Sequence, residues 1–478
     1  MTRILLLGAL LALTAAGGCT RRAPDTGPID ISAIGPLETT IDPDRRPLSP
    51  GEAMVLDATA QGLVTIDAAG QIEPALAERW IVTDDGLGYI FRLRDVRWPD
   101  GRPITADAVA RRLRAAIKPS SRNALRPALT ALAEISAVTP DVIDIRLERP
   151  LPGFLTLLAR PELTLRRAGD GTGPYRVAKR EVDRAVLEDR TTPAKLPRAT
   201  LRGERAAVAI TRFRHGLVDL VTGGTIGSLP QLRAAGLAAP SLRFDPVRGL
   251  YGLAITGDGG ALADPVLRRA LIMALDGNAL VAGAELPGLT PAAGLVPADV
   301  GDFTAPLRPD WLALPVVERQ ALAAATIRAW GNDHDGPPRV TITRPDALGD
   351  RLIVNLVTAQ WRSMGVDVAL VPGGAPADLR LIDEIAPLPS AEWYLNHFTC
   401  KATSACTPVA DAAIAAAGRG TLHAALTGEA ARLMTEQVPF FPLANPVRWS
   451  LVAPGLDGYR DNLLALHPVT RLRALWPK

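Results

Sequence analysis

The feature of the sequence that most restricts its fold is a regular alternation of helix and strand patterns in the C-terminal half. Amphipathic helix patterns cover residues 316–330 and 352–364, and apolar strand patterns cover residues 340–343, 366–371 and 378–382. Strands that alternate with helices are typical of a mostly parallel sheet with helices packed on its faces. The sequence therefore predicts a mixed α/β fold.

A β-hairpin, a loop and a helix are predicted within residues 83–117. Asp85 and Gly86 predict the hairpin turn, because glycine accepts the positive φ that a tight turn requires. Every second residue from 89 to 93 is apolar, which is the period of a half-buried strand. Thr105 is a typical helix N-cap, and the helix after it has one apolar face. No residue of this segment is placed for chemistry.

Five segments of the sequence resemble those of a known family. They are residues 61–67, 72–80 and 83–117, the Gly-Asp-Gly-Thr-Gly-Pro-Tyr run at 169–175, and the Asp-Pro-Val-Leu-Arg-Arg-Ala-Leu run that opens 264–276. Together they resemble the bacterial extracellular solute-binding proteins of family 5, the peptide-, nickel- and oligopeptide-binding components of ABC transporters. The resemblance implies a two-lobed periplasmic-binding-protein-like fold, class II and of the large three-subdomain type, with a ligand cleft between the lobes.

The same resemblance implies how the chain divides into lobes. Lobe I is discontinuous and comprises residues 29–52, 169–249 and 437–478, with an additional α+β subdomain at residues 53–168. Lobe II comprises residues 250–436. The length of 478 residues is sufficient for two or three domains.

The N-terminus has the pattern of an export signal. Residues 1–19 combine an early Arg3, an apolar run too short to span a bilayer comfortably, and small residues before Cys19. A cysteine directly after small residues resembles a bacterial lipobox, which predicts lipidation of Cys19 and a polar tether at residues 20–28. The alternative is cleavage nearby and a free periplasmic protein. No later run of 18 or more apolar residues is present.

Cys400 and Cys406 lie close together in an exported chain, which favours a disulfide that closes a small loop. A pair of buried thiols is the alternative. A zinc site is disfavoured because zinc requires four ligands and only His397 lies nearby in sequence.

Composition and motifs argue against several function classes. The net charge of +3 and the 4% aromatic content give no sign of a nucleic-acid surface. The sequence has no Gly-x-Ser-x-Gly, His-Glu-x-x-His or Walker-type motif, and its five histidines have no ligand spacing. We therefore expect a binding protein rather than an enzyme, with no cofactor and no resident metal.

Ligand contacts are expected first in two segments that lie near the ligand cleft in members of the family. Thr39 and Thr40 lie in a Thr-Thr-Ile-Asp-Pro loop after the first predicted strand. Tyr251 lies in a strand that the family uses to cross between lobes. The alternative for the loop is a proline-anchored surface turn.

Asp383 and Glu384 are the remaining expected ligand contacts. In peptide binders of the family, an Asp after a Trp-x-Ala step anchors the amino terminus of the ligand. Here Pro387 occupies that Asp position and Glu384 the Trp position, so the usual peptide pose is in doubt. Asp383 or Glu384 is expected to replace the anchor as a cation partner, and a solvated loop edge is the alternative.

These observations predict a monomeric substrate-binding lipoprotein, anchored to a membrane in the periplasm. It would capture a peptide or other small polar solute by hinge closure and deliver it to the permease subunits of an ABC importer. A ligand shifts such an equilibrium only by binding the closed form better than the open one. Two alternatives remain: a metal or metallophore binder of nickel type, and a degenerate scaffold lipoprotein without transport function.

Overall fold

The structure, a computed structural model, describes residues 27–167, 169–191, 197–237, 239–256, 260–300, 309–417 and 422–474. The predicted signal peptide at 1–19 with its Cys19, and most of the predicted tether at 20–28, lie outside the described residues. No helix in the described ranges is long and apolar enough to cross a lipid bilayer.

The described strands are numbered in chain order. They are β1 (Ile29–Ile34), β2 (Val64–Ile66), β3 (Ile72–Pro74), β4 (Ala77–Val82), β5 (Gly88–Leu93), β6 (Leu132–Thr139), β7 (Val142–Leu147), β8 (Tyr175–Glu181), β9 (Arg184–Asp189), β10 (Pro197–Glu204), β11 (Leu220–Gly224), β12 (Leu242–Asp245), β13 (Gly249–Ile255), β14 (Arg339–Thr343), β15 (Asp367–Val371), β16 (Leu379–Ile385), β17 (Phe440–Pro442), β18 (Arg448–Val452), β19 (Leu456–Asp457) and β20 (Arg473–Ala474).

The described α-helices are numbered in the same way. They are α1 (Pro50–Thr59), α2 (Ala106–Ile117), α3 (Phe154–Leu158), α4 (Ala206–Arg214), α5 (Leu229–Ala235), α6 (Pro265–Ala274), α7 (Gly277–Ala284), α8 (Asp310–Ala313), α9 (Val316–Asp333), α10 (Leu348–Ser363), α11 (Ala391–Asn396), α12 (Pro408–Ala417) and α13 (His423–Gln437).

Three larger sheets organise these elements. The first has seven strands in the order β12-β18-β11-β1-β10-β9-β8, with β1 parallel to both β10 and β11. The second has five strands in the order β15-β14-β16-β13-β17. The third has four antiparallel strands in the order β4-β5-β7-β6. Distant parts of the chain therefore meet in the first sheet.

The five-stranded sheet contains the alternating segment from which the fold class was predicted. Strand β14 is parallel to β15 and to β16, as strand–helix alternation requires. Strand β13, from a distant part of the chain, pairs antiparallel with β16 and β17, so the sheet is mixed. Helix α10 begins four residues before the predicted start at residue 352, and strand β16 ends at Ile385 instead of residue 382.

The predicted hairpin and helix of residues 83–117 are confirmed. Strands β4 and β5 pair antiparallel around Gly86, which has a φ of 69°. The side-chain oxygen of Thr105 accepts a hydrogen bond from the amide of Ala108 at 3.3 Å and caps α2. Val109 and Leu113 of this helix are buried in the apolar core of the four-stranded sheet together with Phe91.

The chain passes between the two larger sheets at two adjacent connections. Strand β12 of the seven-stranded sheet ends at Asp245, and β13 of the five-stranded sheet begins at Gly249. The return passage leads from β17 to β18, which begins at Arg448 and pairs with β12. Gly249 is required here, because a Cβ at this position would lie 1.9 Å from the carbonyl oxygen of Glu384. Two short side-by-side connections are a geometry in which two bodies hinge.

The connections agree with a two-lobed arrangement. The lobe boundaries expected from the sequence, at residues 53, 169, 250 and 437, stay a prediction. The apolar core beside the connections includes Val221 and Ile226 from the seven-stranded sheet region and Leu253 and Ile342 from the five-stranded sheet. The two units are therefore packed together near the connections.

Candidate functional site

A cavity of about 1100 Å³ lies between the seven-stranded and five-stranded sheets. The ends of three neighbouring parallel strands open on it: Gly35 follows β1, Arg205 follows β10, and Gly223 lies in β11. Asp346 and Ile385 line it from the side of the five-stranded sheet. In open α/β sheets ligands bind beyond the carboxyl ends of the strands, so this cavity is the candidate ligand site.

An ion pair joins the two sheets at the edge of this cavity. Arg448 lines the cavity, and its Nη1 donates to Oδ1 of Asp383 at 2.8 Å. The two side chains are only 14% and 18% exposed, so the pair is largely removed from water. Asp383 belongs to β16 and Arg448 opens β18, so the pair fixes the geometry of the return connection between the sheets.

A second buried pair lies behind the first. The phenol of Tyr251 in β13 donates to Oδ1 of Asp350 in α10 at 3.0 Å. Burial, with the nearby charge of Asp383, raises the pKa of Asp350 to about 6, although the phenol and Arg448 act in the opposite direction. Burial raises the pKa of Tyr251 as well. Tyr251 is therefore a neutral donor that holds α10 against β13.

A smaller cavity of about 260 Å³ lies between the four-stranded sheet region and α11. Leu151 and Leu388 line it with the aromatic ring of Trp393. Its rim carries the ion pair of Arg149 and Glu392, in which Nε donates to Oε2 at 3.0 Å. This pair connects the region of the four-stranded sheet to α11.

Glu384 lies beside the smaller cavity rather than the larger one. Its Oε2 is 3.1 Å from Nε2 of His397, a residue that lines the smaller cavity. Asp383 of the same strand faces Arg448, as adjacent strand residues point to opposite faces. Pro387 is buried, and it provides no charge at the position of the expected amine anchor.

Thr39 and Thr40 lie in an exposed segment after β1. The carbonyl oxygen of Thr39 accepts a hydrogen bond from Nη1 of Arg180 at 3.2 Å. Within the described part of the chain, none of the five expected ligand residues, Thr39, Thr40, Tyr251, Asp383 and Glu384, lines the larger cavity. Their role as ligand contacts stays a prediction, and two of them, Asp383 and Glu384, are engaged by Arg448 and His397.

Reasoning from the sequence missed Arg205, Asp346 and Arg448, which do line the cavity. Arg205 and Asp346 each fall between a strand and the following helix, and that change of pattern is the available signal for them. For Arg448 no local signal exists, because its position depends on the pairing of β18 with β12. The structure also joins Cys400 and Cys406 by a disulfide.

Comparison with known proteins gives matches over most of the chain. A family described as "Bacterial extracellular solute-binding proteins, family 5 Middle" matches residues 71–388. The probable deoxycholate-binding periplasmic protein YgiS of Escherichia coli (strain K12) is 29% identical over 342 residues. The match covers 63% of this chain and 62% of YgiS, which is less than two thirds of that relative.

Solved structures match almost the whole chain. The murein tripeptide binding protein MppA of Escherichia coli has a TM-score of 0.81 at 20% identity and covers 95% of this chain and 100% of its own. Haemophilus influenzae OppA in complex with the peptide RPPGFSPFR also has a TM-score of 0.81, at 19% identity, with the same coverage. These similarities confirm the predicted α/β fold of the periplasmic-binding-protein type.

Proposed function

Because the chain belongs to the bacterial extracellular solute-binding proteins of family 5, we propose that it captures a peptide or another small polar solute for an ABC importer. The solute would occupy the cavity between the two larger sheets, and the two lobes would close on it about the paired connections. The permease subunits of the importer would then receive the closed form. Closure raises affinity only if the ligand makes contacts in the closed form that the open form lacks.

The observation that carries this proposal is the cavity itself. It has a volume of about 1100 Å³, both larger sheets line it, and the two connections lie beside it. Small-molecule sites commonly enclose roughly 300–1000 Å³, so a ligand of a few amino-acid residues has sufficient room. A scaffold protein would instead be expected to fill this space with its own side chains.

The test is a binding screen of the purified protein by thermal shift, followed by calorimetry on each compound that raises the melting temperature. The compounds are di- to pentapeptides, opines, sugars, deoxycholate and nickel with and without histidine as carrier. Deoxycholate is included because the relative YgiS is described as probably binding it. A failure of every compound to stabilise the protein would contradict the proposal.

A cavity-filling variant locates the binding. Ala347 lines the cavity at the start of α10, and an Ala347→Trp substitution would occupy the space of the ligand. Val317 on α9 is 78% exposed and lies outside the residues that line the cavity, so Val317→Trp is the matched control. We expect Ala347→Trp to abolish binding and Val317→Trp to retain it.

The alternative of direct metal binding has less support. Within the described ranges, no group of three or more His, Cys, Asp or Glu side chains is arranged to hold a metal ion. A metallophore would supply its own ligands and is tested by the nickel and histidine arm of the screen. Equilibrium dialysis with nickel alone distinguishes direct binding of the metal from binding of a metal–metallophore complex.

We also propose that the protein is exported, lipidated at Cys19 and held as a monomer at a periplasmic membrane surface. The small residues before Cys19 support this proposal. Radiolabelled palmitate should be incorporated by the natural protein and lost from a Cys19→Ser variant. Incorporation that survives in Cys19→Ser would show that the lipid is carried elsewhere.

A further inference from the structure

The charges that line the larger cavity fall into two groups. In the part of the chain that the structure describes, eight charged side chains line it, and six of them have partners within the protein. These are Arg160 with Glu162, Glu204 with Arg212, Asp245 with His467, Arg448 with Asp383, and Asp183 with the amide of Leu37. The charge of each is thus compensated or hydrogen-bonded without a ligand.

Arg205 and Asp346 form the second group. Both side chains are exposed to the cavity, and neither has a hydrogen bond or ion pair with another described residue. Arg205 follows β10 of the seven-stranded sheet, and Asp346 precedes α10 beside the five-stranded sheet. The two uncompensated charges therefore have opposite sign and come from opposite sides of the cavity.

Closure of the lobes would remove water from both side chains. An ionised group that loses its water is destabilised unless a hydrogen-bonded opposite charge replaces the water. Since neither residue has such a partner among the described residues, a ligand with one cationic and one anionic end would compensate both. A ligand with a single charge would leave one side chain uncompensated.

We propose that Asp346 binds the ammonium group of the ligand, that Arg205 binds its carboxylate, and that the preferred solute is a zwitterion such as a short peptide. This inference rests on the proposed function, because it concerns the same cavity. It places the amine anchor just before α10, away from the β16 segment in which the sequence suggested it. That segment has no carboxylate available in the larger cavity, because Asp383 is paired with Arg448 and Glu384 faces His397.

The test uses trialanine and its two singly charged derivatives, N-acetyl-trialanine and trialanine amide. The natural protein should bind trialanine more tightly than either derivative, by about 10- to 100-fold, since a charge-assisted hydrogen bond contributes on that scale. In Asp346→Asn the preference for the free amine should fall to about 1, because the anionic partner is gone. In Arg205→Gln the preference for the free carboxylate should fall in the same way.

The ratios distinguish a specific contact from a general loss of stability. A damaged cavity would weaken the binding of all three compounds together. The proposal requires each variant to lose one of the two preferences and keep the other. Asp84→Asn and Arg122→Gln are matched controls, because they make the same charge changes at exposed positions outside the residues that line the cavity. Both preferences should persist in the control variants.

Two failures are distinguishable. If some compound of the wider screen binds and its affinity is unchanged in both Asp346→Asn and Arg205→Gln, the assignment of these residues is wrong and the proposed function stands. If no compound of the screen binds the natural protein, the proposed function fails and this inference fails with it. Binding of trialanine with both preferences intact in Asp346→Asn would also overturn the assignment.

Discussion

The contact between α10 and the turn after β11 provides a sharp test of how closely the two lobes are packed. Gly349 lies in the first turn of α10, and Ile226 opens a short 3₁₀ turn after β11. A Cβ at position 349 would lie 2.0 Å from the carbonyl oxygen of Ile226. The Gly349→Ala substitution therefore forces the helix and the turn apart.

The required movement follows from the geometry. Ordinary van der Waals contact begins at 3.4 Å, so the oxygen and the new Cβ must separate by about 1.4 Å. Overpacking of this kind costs about 1–3 kcal/mol of unfolding free energy. Alanine also favours a helix over glycine by up to about 1 kcal/mol, which partly conceals the cost.

Gly283 provides the matched control. It lies in the last turn of α7, it is exposed, and a Cβ there would meet only the side chain of Leu356 at 3.4 Å. Gly283→Ala thus gains the helix preference without the collision. The free energy of unfolding in urea should be about 1–3 kcal/mol lower for Gly349→Ala than for Gly283→Ala. Small-angle scattering should show a larger radius of gyration for Gly349→Ala. Equal stability and equal size of the two variants would refute the close packing of the lobes.

Three further predictions concern stability. The contribution of Asp350 to the free energy of unfolding should fall by up to about 3 kcal/mol between pH 4 and pH 6, because its pKa is about 6 in the folded chain and about 4 in the unfolded one, so deprotonation favours unfolding. Calorimetry should show a weaker loss of stability over this pH range for Asp350→Asn than for the natural protein, and an equal loss would contradict the assignment. Cys400→Ser removes the disulfide with Cys406 and opens the small loop that it closes. The free energy of unfolding in urea should fall by about 2 kcal/mol. An unchanged free energy of unfolding would show that the disulfide does not form. Arg149→Ala removes the ion-pair partner of Glu392 at a site where both side chains are at most 14% exposed. It should lower the free energy of unfolding by about 3 kcal/mol. A decrease smaller than the error of urea unfolding would indicate that the pair is solvated.

The elements that the sequence predicts well are those that local chemistry decides. The turn at Asp85 and Gly86 forms where glycine allows positive φ, and Thr105 caps α2, because both depend on neighbours within a few residues. Strand β1, the first strand expected from the sequence, spans Ile29–Ile34, where Ile29 and Ile31 alternate with Asp30 and Ser32. Helix α10 starts earlier than predicted, because its first turn packs against the turn at Ile226 and the helical apolar pattern starts later.

The candidate site could not be predicted in the same way. Asp383 and Arg448 are 65 positions apart, and Tyr251 and Asp350 are 99 positions apart, yet each pair is in hydrogen-bond contact. A carboxylate such as that of Asp383 in β16 gives no local sign of whether an arginine of another strand neutralises it. For this reason the contact of Asp383 with Arg448 could not be predicted from the sequence.

The sequence by itself determined the class of fold and the family, because strand and helix periods and turn residues are properties of short segments. Tertiary structure alone decided which charges face the cavity. Burial and pairing depend on which strands become neighbours, and the register of β18 against β12 is set by the packing of the whole sheet. Arg205 and Asp346 therefore became candidates for ligand binding only once the partners of the other cavity charges were known.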